Sequence, residues 1–385
     1  MKQAMQPLKQ NLAQRKQQGL YRKRLVMQSA QGVQMRIDGR DVLSFCSNDY
    51  LGLANHPAIK QAFIDAVGQY GVGSGSAHLV NGHSQLHHDC EAMLAEFTGR
   101  DRALLFSTGY MANLAVTSAL VDRHDAIFQD KLNHASLIDA ARLSDARFKR
   151  YAHNDLAQLR HLLQHSKARH RLIMADAVFS MDGDKADARA LAQIAANSDS
   201  DLMLDDAHGF GVLGEKGAGI CEEAGLSQQQ VPILMATLGK AAGVSGAFIA
   251  GSEDLIETLI QQARSYIFTT ASPPANAAAI MQSLRIIESE NWRREKLFEL
   301  IDYFKTGMEA LDFELMPSDT AIQPIVIGDN QRALTLSQQL FKQGIHVVAI
   351  RPPTVPQGTA RLRITLSANH QKQHIDRLLK ALKKI

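Results

Sequence analysis

Between about residue 100 and residue 250, short apolar runs alternate with segments of helical periodicity. Each run is apolar on both faces, which is typical of strands in a parallel sheet that helices cover on both sides. The sequence therefore predicts an α/β fold. The predicted strands are Ala103–Ser107, Ala126–Gln129, Arg171–Ala175, Asp201–Leu204, Ile233–Ala236 and Gly246–Ala250, and the predicted helices are Met111–Val121, Ala135–Leu143, Leu156–Leu163 and Ala188–Ala196.

The two ends of the chain follow other patterns. The first 20 or so residues predict a polar, basic helix that ends near Gly19, followed by a hairpin that turns at Asp38-Gly39. Pro273-Pro274 interrupts the α/β pattern and begins a long helix. Beyond that helix the pattern is α+β, with a basic C-terminal helix after the predicted strands Ile322–Ile327, Ile345–Ile350 and Arg361–Leu366.

These patterns predict three parts, and 385 residues fit two to three domains at about 150 residues each. Residues 1–47 form an N-terminal arm of helix and hairpin. Residues 48–285 form the large domain, and residues 286–385 form a smaller C-terminal α+β domain.

Charge and cysteine content narrow the class of protein. Forty-two Lys and Arg against 39 Asp and Glu leave a net charge of +3 without a block of like charge, which argues against nucleic acid or an acidic membrane as the partner. Cys46, Cys90 and Cys221 are too widely spaced for a disulfide framework, which favours a reducing compartment. No apolar signal segment or run of about 18 apolar residues occurs, so we expect a cytoplasmic enzyme.

Ligands of such sheets bind at the carboxyl ends of the strands. Asp205 stands at the end of a buried predicted strand, where a carboxylate is costly unless it meets a cation. The protonated ring nitrogen of a cofactor is one such cation, and His208 could donate to an oxygen of the same ring. Two alternatives stay open: a helix N-cap at Asp205 or Asp206 with a surface histidine, or a metal site that lacks further ligands.

Lys240 follows the next predicted strand and lies among small residues. Burial would lower its pKa, which a lysine needs to form a Schiff base. The alternative is a loop lysine that extends to solvent. Its place after a strand end, one strand beyond Asp205 and His208, favours the Schiff base.

Two glycine-containing segments are candidate phosphate sites. The segment Ser107–Asn113 joins a strand to a helix, and the N–H groups of a helix N-terminus bind phosphate, although an ordinary capped turn fits equally well. The segment Gly71–Ser76 lacks the third glycine of a dinucleotide motif and the lysine of a P-loop, so it predicts a flexible loop.

Several histidines are candidate ligands. His83, His87 and His88 have helical spacing, but a helix cap or a solvated face is favoured over a metal site because no acidic partner motif follows. No metal is predicted. His134 follows a strand end, where its imidazole could stack on a planar ring.

Four motifs resemble those of the α-oxoamine synthase family, which consists of fold-type I pyridoxal phosphate (PLP) enzymes. They are Ser47–Leu53, Phe179–Asp184, Asp205–Gly209 and Thr237–Lys240, and the resemblance extends from about Leu20 to the C-terminus. It implies a large domain with a mostly parallel seven-stranded sheet covered by helices, plus a smaller α+β domain.

Within this family, the segments Arg351–Pro356, Gly358–Arg363 and Gly75–His83 are similar to those of the member that acts in biotin biosynthesis. That member condenses L-alanine with a pimeloyl thioester, carried on CoA or acyl carrier protein, with loss of CO2. The alternatives are a sister synthase, such as a glycine C-acetyltransferase, and a non-catalytic protein on this fold.

The resemblance also implies roles for individual residues. Lys240 would hold the cofactor as a Schiff base, Asp205 would pair with its ring nitrogen and His134 would stack on its ring. The ring hydroxyl would be addressed by His208 and Ser180. The phosphate would be bound by Thr108, Gly109, Tyr110 and Thr237.

Substrate residues and a homodimer are implied in the same way. The substrate-binding residues would be Arg22, Asn48 and Arg351, with Arg351 on the carboxylate of the amino acid. Thr269 and Thr270 would reach the phosphate in the partner subunit, so the active sites would lie at a homodimer interface. The chain departs from the family at Asp176, where Glu is usual, and at Ala241-Ala242, where Gly-Phe is commoner.

Overall fold

The computed structural model describes residues 6–385, so residues 1–5 of the predicted N-terminal arm lie outside the described residues. Its strands are numbered β1 to β14 and its helices α1 to α14 along the chain. The chain forms two compact units. The large unit comprises residues 49–180 and 184–295, and the small unit comprises residues 6–48, 181–183 and 296–385.

The large unit is built on a seven-stranded sheet with the order β3-β9-β8-β7-β6-β4-β5. The four neighbouring pairs from β8 to β5 are parallel, whereas β9 runs antiparallel to both β3 and β8. The predicted α/β class and the mostly parallel seven-stranded sheet are confirmed. The strands are β3 Arg102–Phe106, β4 Ala126–Asp130, β5 Arg147–Tyr151, β6 Arg171–Asp176, β7 Asp201–Asp205, β8 Ile233–Thr237 and β9 Ala247–Gly251.

Helices connect these strands because apolar side chains on their inner faces need the sheet for burial. One core cluster joins Ile127 and Met203 of the sheet to Val116, Leu137 and Leu259 of three helices. The helices of the large unit are α2 Pro57–Tyr70, α3 Gln85–Thr98, α4 Gly109–Leu120, α5 Ala135–Leu143, α6 Leu156–Gln164, α7 Ala188–Asn197, α8 Ile220–Ala224, α9 Glu253–Gln262, α10 Arg264–Ile267 and α11 Pro274–Ser289, with a π-helical turn at His78–Gly82.

The small unit contains two short sheets. One has the order β1-β2-β12, and its β1-β2 hairpin confirms the predicted turn at Asp38-Gly39. The other is antiparallel with the order β10-β11-β14-β13. The strands are β1 Gln34–Ile37, β2 Arg40–Ser44, β10 Glu314–Leu315, β11 Ile322–Gly328, β12 Ile345–His346, β13 Val348–Ile350 and β14 Ala360–Thr365, and the helices are α1 Gln6–Gln17, most of α12 Trp292–Met308, α13 Asn330–Lys342 and α14 Lys372–Leu382.

Several elements differ from the sequence prediction, among them the following three. Strand β5 was not predicted, because it lies at the sheet edge and its polar side chains leave no apolar run. The predicted strand Ile345–Ile350 is two strands, since β12 pairs with β2 and β13 pairs with β14 on either side of buried Val347. The long helix that begins at Pro274 is also two helices, because Glu290 leaves the helical conformation between α11 and α12.

The division into residues 1–47, 48–285 and 286–385 remains a prediction. In the structure, the large unit ends at residue 295 and the last segment of the small unit begins at residue 296. Within residues 6–385, every helix is too short or too polar to cross a membrane.

Candidate active site

A cavity of about 180 Å³ opens in the large unit at the carboxyl ends of β6, β7 and β8. This is the sheet edge at which the sequence predicted the chemistry. The predicted site residues that line this cavity are Gly109, Tyr110, His134, Ser180, Asp205, His208, Thr237 and Lys240.

The amine of Lys240 is held by a chain of polar contacts. Its Nζ lies 2.8 Å from Nε2 of His208, and Nδ1 of the same imidazole lies 2.6 Å from the hydroxyl of Tyr50. Lys240 is half-buried, so it is not a lysine that extends freely into solvent. Tyr50 therefore orients His208, which in turn positions the amine inside the cavity.

Asp205 ends β7 and is only 4% exposed. Its Oδ2 accepts a hydrogen bond of 2.8 Å from the side-chain amide of Asn113, and its Oδ1 accepts one of 3.1 Å from the N–H of Ala207. The same amide nitrogen of Asn113 donates to Ser136 at 2.8 Å. These neutral donors orient the Asp205 carboxylate but bring no positive charge, so a cationic ligand would be well placed beside it.

A second carboxyl, that of Asp176, lies on the neighbouring strand directly opposite Asp205 in the register of β6 and β7. Burial, together with the nearby charge of Asp205, raises the pKa of Asp176 well above its ordinary value, and the hydrogen bond from the His134 N–H opposes the rise. Oδ2 accepts that bond at 2.9 Å. Oδ1 is buried and has no hydrogen-bond partner among the described residues, so the cavity offers a polar group for a ligand.

His134 precedes α5 and faces the cavity. Its Nδ1 accepts a hydrogen bond from the N–H of Ser136 and lies 2.7 Å from the hydroxyl of that serine. Burial lowers its pKa, an effect that the charge of Asp205 opposes and that of Lys240 reinforces. A neutral imidazole, fixed at one nitrogen, presents a flat ring to the cavity.

The N-terminus of α4 also faces the cavity. Thr108 is the N-cap, and its Oγ1 accepts a hydrogen bond of 3.2 Å from the N–H of Met111. The first N–H groups of a helix have no partner within the helix, and they attract anions together with the helix dipole. At Gly109 a Cβ atom would lie 3.3 Å from the Met235 methyl carbon, so the absent side chain keeps this end of the helix open.

Tyr110 also lines this end of the cavity, and its hydroxyl donates to Asp139. Thr237 ends β8, where its hydroxyl donates to the carbonyl of Gly246 at 3.0 Å. Both residues line the cavity, as does Gly109.

The neighbouring carboxyl of Asp206 has a structural contact. It is fully buried, and its Oδ2 accepts a hydrogen bond of 2.8 Å from the N–H of Ile220. Burial raises its pKa well above the ordinary value, against the bond from Ile220. Of the two adjacent carboxyls, Asp205 faces the cavity and Asp206 holds the following loop.

The remaining predicted residues lie elsewhere. Thr270 forms a bridge with Ala77 in the backbone of the large unit, and neither Thr269 nor Thr270 lines the cavity. The three predicted substrate residues belong to the small unit. They are Arg22, Asn48 and Arg351.

Polar contacts hold each of these three side chains within the small unit. Arg22 donates to the Thr354 hydroxyl at 3.0 Å, and Arg351 donates to the carbonyl of Gly19. Asn48 accepts two bonds of 3.2 Å from the guanidinium of Arg363.

Of the three histidines with helical spacing, His87 caps α3. Its Nδ1 accepts a hydrogen bond of 3.0 Å from the N–H of Ser84, and its Nε2 contacts the carbonyl of Ser272 at 2.8 Å. Nδ1 of His83 lies 2.9 Å from Nδ1 of His78. Ala241 and Ala242, which replace the commoner Gly-Phe pair, are buried beside Lys240 without lining the cavity.

Three residues of the site had no role in the sequence prediction: Tyr50, Asn113 and Ser136. Tyr50 lies in the motif Ser47–Leu53 and Asn113 in the segment Ser107–Asn113, but nothing in their sequence positions indicates which residues they contact. Tyr50 meets His208 across 158 positions of sequence, and Asn113 meets Asp205 across 92. Only the fold brings these pairs together.

A lysine, a buried carboxylate and a helix N-terminus around one cavity of a mostly parallel sheet define a fold-type I PLP-dependent enzyme. The chain matches the family "Aminotransferase class I and II" over residues 40–382. It belongs to this family and, within it, to the 8-amino-7-oxononanoate synthases. Curated relatives of that name are 56% identical over 98% of this chain and 96% of theirs in Saccharophagus degradans, and 57% identical over 96% and 98% in Nitrosococcus oceani.

Solved structures agree with this assignment. A structure of serine palmitoyltransferase (SPT) with a PLP internal aldimine has a TM-score of 0.94 at 28% identity, covering 99% of this chain and 97% of its own. The 8-amino-7-oxononanoate synthase of Francisella tularensis has a TM-score of 0.79 at 34% identity, covering 89% and 97%. The predicted PLP cofactor is therefore confirmed.

The residues of the cavity fit this cofactor. Its aldehyde requires an amine, which Lys240 would supply, and its cationic ring nitrogen requires a buried anion, which Asp205 would supply. Its phosphate requires N–H donors, which the start of α4 would supply. The unpartnered Oδ1 of Asp176 shows that the cavity also holds a polar group that protein contacts leave unsatisfied.

Proposed function

We propose that this chain catalyses the decarboxylative condensation of L-alanine with a pimeloyl thioester, giving 8-amino-7-oxononanoate, CO2 and the free thiol of the acyl carrier in biotin biosynthesis. The observation that carries the proposal is the 2.8 Å contact of Lys240 Nζ with His208 in the cavity that Asp205 also lines. The relatives at 56–57% identity supply the particular reaction.

The residues of the cavity have separate roles in the proposed reaction. PLP, when bound, supplies the electron sink that stabilises negative charge on the α-carbon of the amino acid. Lys240 would hold the cofactor through its amine and would take the proton from the α-carbon of L-alanine. Asp205 would keep the ring nitrogen protonated, which the sink requires. His208, held by Tyr50, and Ser180 would bind the ring hydroxyl, and His134 would cover the ring face.

Phosphate binding is assigned to the start of α4. Thr108, Gly109 and Tyr110 would supply the helix N-terminus, and Thr237 would supply its hydroxyl in place of the bond to the Gly246 carbonyl. The helix dipole and these donors favour a dianion at this position.

Two arginines of the small unit are the proposed substrate anchors. Neither Arg22 nor Arg351 forms an ion pair with a carboxylate among the residues that the structure describes. Burial and the nearby charge of Arg22 both lower the pKa of Arg351. A carboxylate would relieve that repulsion, and it binds guanidinium in a bidentate manner. Arg351 would bind the carboxylate of L-alanine, Arg22 the acyl substrate, and Asn48 would contact the substrate beside them.

A substrate panel tests the proposed reaction. L-Alanine, glycine and L-serine would each be paired with pimeloyl, acetyl and palmitoyl thioesters, on CoA and on acyl carrier protein. We expect the highest kcat/KM for L-alanine with the pimeloyl group. A best pair of glycine with acetyl-CoA would contradict the substrate assignment.

The second candidate is a sister synthase that uses another acyl donor. It is favoured by one observation, because the TM-score to SPT is 0.94 and that to the Francisella tularensis enzyme is 0.79. Identity points the other way, at 28% to SPT against 56–57% to the curated 8-amino-7-oxononanoate synthases. L-Serine with palmitoyl-CoA is the pair that separates the two candidates.

We also propose a homodimer in which Thr269 and Thr270 serve the cavity of the partner subunit. Large apolar side chains stand exposed on neighbouring segments of the large unit, with Val72, Val80 and Phe268 each at least 70% exposed. The N–H of Ala271 donates to the carbonyl of Ser76, which ties these segments together. Exposed apolar side chains in one region favour burial against a second copy.

Hybrid dimers test this arrangement. Lys240→Ala and Thr270→Val subunits would be co-expressed with different tags, and the mixed dimer would be purified. If Thr270 acts on the partner's cavity, the mixed dimer recovers one fully working site, although the Lys240→Ala parent is inactive and the Thr270→Val parent is impaired at both sites. Activity no higher than that of the parents, or a monomer in light scattering, would contradict the proposal.

A cytoplasmic location completes the proposal. All three cysteines are free, with Cys90 and Cys221 buried, as expected in a reducing compartment. Cell fractionation should place the enzyme with the cytoplasmic fraction, and recovery from the periplasm or membrane would contradict this.

A further inference from the structure

One histidine outside the cavity lies between two carboxylates of the large unit. Nδ1 of His153 lies 3.1 and 3.2 Å from the two carboxylate oxygens of Asp130, and its Nε2 lies 2.8 Å from Oδ2 of Asp184. No step of the proposed reaction uses this residue. Its two partners belong to two different segments that reach the cavity.

The contacts require a doubly protonated ring. An ionised carboxylate only accepts hydrogen bonds, so an imidazole that faces one at each nitrogen must donate from both. Burial lowers the pKa of His153, but the hydrogen bonds and charges of Asp130 and Asp184 outweigh it and raise the pKa to about 10. His153 is therefore a cation at neutral pH.

The Asp130 contact reaches the loop of His134. Asp130 ends β4 and is 1% exposed, and its carboxylate also accepts bonds of 2.7 Å from the N–H groups of Leu132 and Asn154. The chain then continues through Asn133 to His134, which lines the cavity. The position of this loop thus depends on the Asp130 carboxylate.

The Asp184 contact reaches the segment of Ser180. The N–H of Phe179 donates to the carbonyl of Asp184 at 2.9 Å, so Asp184 lies beside the strand-like run that carries Ser180 into the cavity. The ring of Phe179 meets the ring of His153 edge-on, at a centroid distance of 4.4 Å. Asn154 adds a bond of 2.9 Å to the Asp184 carboxylate.

We propose that His153 is a positioning residue: it joins the loop of His134 to the segment of Ser180, and so fixes two of the side chains that face the cofactor. The inference rests on the assignment of the cavity to PLP. It predicts that the loss of one hydrogen bond outside the cavity changes how PLP is held.

The test compares His153→Gln with His170→Gln. Glutamine keeps a donor for one carboxylate but cannot serve both. His170 is the matched control, because its Nε2 contacts Asp201 at 2.7 Å and its pKa is likewise raised by that hydrogen bond, yet it does not line the cavity. For each protein, the dissociation constant of PLP, the absorption spectrum of bound PLP against pH, and the thermal unfolding of the apoenzyme would be measured.

We expect His153→Gln to weaken PLP binding about tenfold and to shift the pH titration of the bound chromophore, with an apoenzyme unfolding temperature close to that of His170→Gln. Unchanged PLP binding would overturn the proposal. A purely structural role would also overturn it, and would show as weaker binding that only parallels a loss of apoenzyme stability.

Asp184→Asn provides a second test through a double-mutant cycle. If the two residues act as one connection, the double variant binds PLP no more weakly than either single variant, whereas additive losses would contradict the connection. Comparison of the variants with the wild-type protein separates the cofactor assignment from the role proposed for His153. Absence of PLP binding in every protein would refute the cofactor assignment, and equal binding in all would refute the role of His153.

Discussion

Nζ of Lys240 lies 2.8 Å from Nε2 of His208, and the opposite nitrogen of that imidazole contacts the Tyr50 hydroxyl at 2.6 Å. The three side chains form a chain of two contacts that ends at the cavity, which His208 and Lys240 both line. Because an imidazole can donate from only one nitrogen while neutral, the proton that Tyr50 shares with Nδ1 affects what Nε2 can offer to Lys240.

Tyr50→Phe should lower kcat without unfolding the protein. Removal of the hydroxyl takes away the 2.6 Å contact with Nδ1 of His208, which weakens the hold on the orientation of the imidazole. We expect a fall of about tenfold in kcat, from the net value of one hydrogen bond. Tyr303→Phe is the control, because its hydroxyl contacts Asp376 on the surface. Equal kcat values in both variants would contradict the role of Tyr50.

Substitution of Asp205 should lower activity, whereas substitution of the adjacent Asp206 should lower stability. Asp205→Asn removes the anion for the cofactor ring, and we expect kcat to fall by about 100-fold or more with little change in stability. Asp206→Ala instead removes the acceptor of the Ile220 N–H, with an expected loss of about 1–3 kcal/mol in the free energy of unfolding. Steady-state kinetics and urea unfolding of both variants provide the check, and reversed effects would contradict the assignment.

Substitution of Arg351 and substitution of Arg22 should each raise the Michaelis constant of a different substrate. Arg351→Ala removes the proposed contact with the L-alanine carboxylate, so KM for L-alanine should rise by about 10- to 100-fold. Arg22→Ala should raise KM for the pimeloyl thioester instead. Initial-rate kinetics with each substrate varied in turn measure the difference. The same pattern of KM changes in both variants would contradict separate roles.

Stability should fall as pH rises through the range in which Glu91 titrates. Burial raises its pKa from the ordinary 4.5 to about 8, against the bond from the Leu105 N–H and the charge of Arg102. Between these values the folded protein holds a proton that the unfolded chain has released, so the contribution of this group weakens with pH and is lost above about pH 8. Glu91→Gln should flatten this slope in urea unfolding from pH 5 to pH 9, and an unchanged slope would contradict the assignment.

Much of the fold could be predicted from local pattern, because the buried strands of the sheet are apolar on both faces. Strand β5 could not, since its polar residues follow no apolar period at the sheet edge. The separation of β12 from β13 was also hidden, because hydrophobicity alone does not show that a run changes its partner sheet at Val347.

Some residues of the candidate active site could likewise be predicted from the sequence, and others could not. Asp205, His208 and Lys240 were predictable because each lies at or just after the end of a strand, and parallel strands bring their ends to one edge. Tyr50 and Asn113 depend on contacts between distant parts of the chain, which no local pattern records. The contact of Asp130 and Asp184 with one imidazole is likewise visible only in the folded molecule.

Lys240 is the residue that we propose to bond covalently to PLP. Borohydride reduction of the holoenzyme, followed by proteolysis and mass spectrometry, tests this bond directly. We expect one reduced phosphopyridoxyl adduct, on the peptide that contains Lys240, and its absence from the Lys240→Ala variant. An adduct on another lysine, or no adduct in protein that has turned over substrate, would refute this role of Lys240.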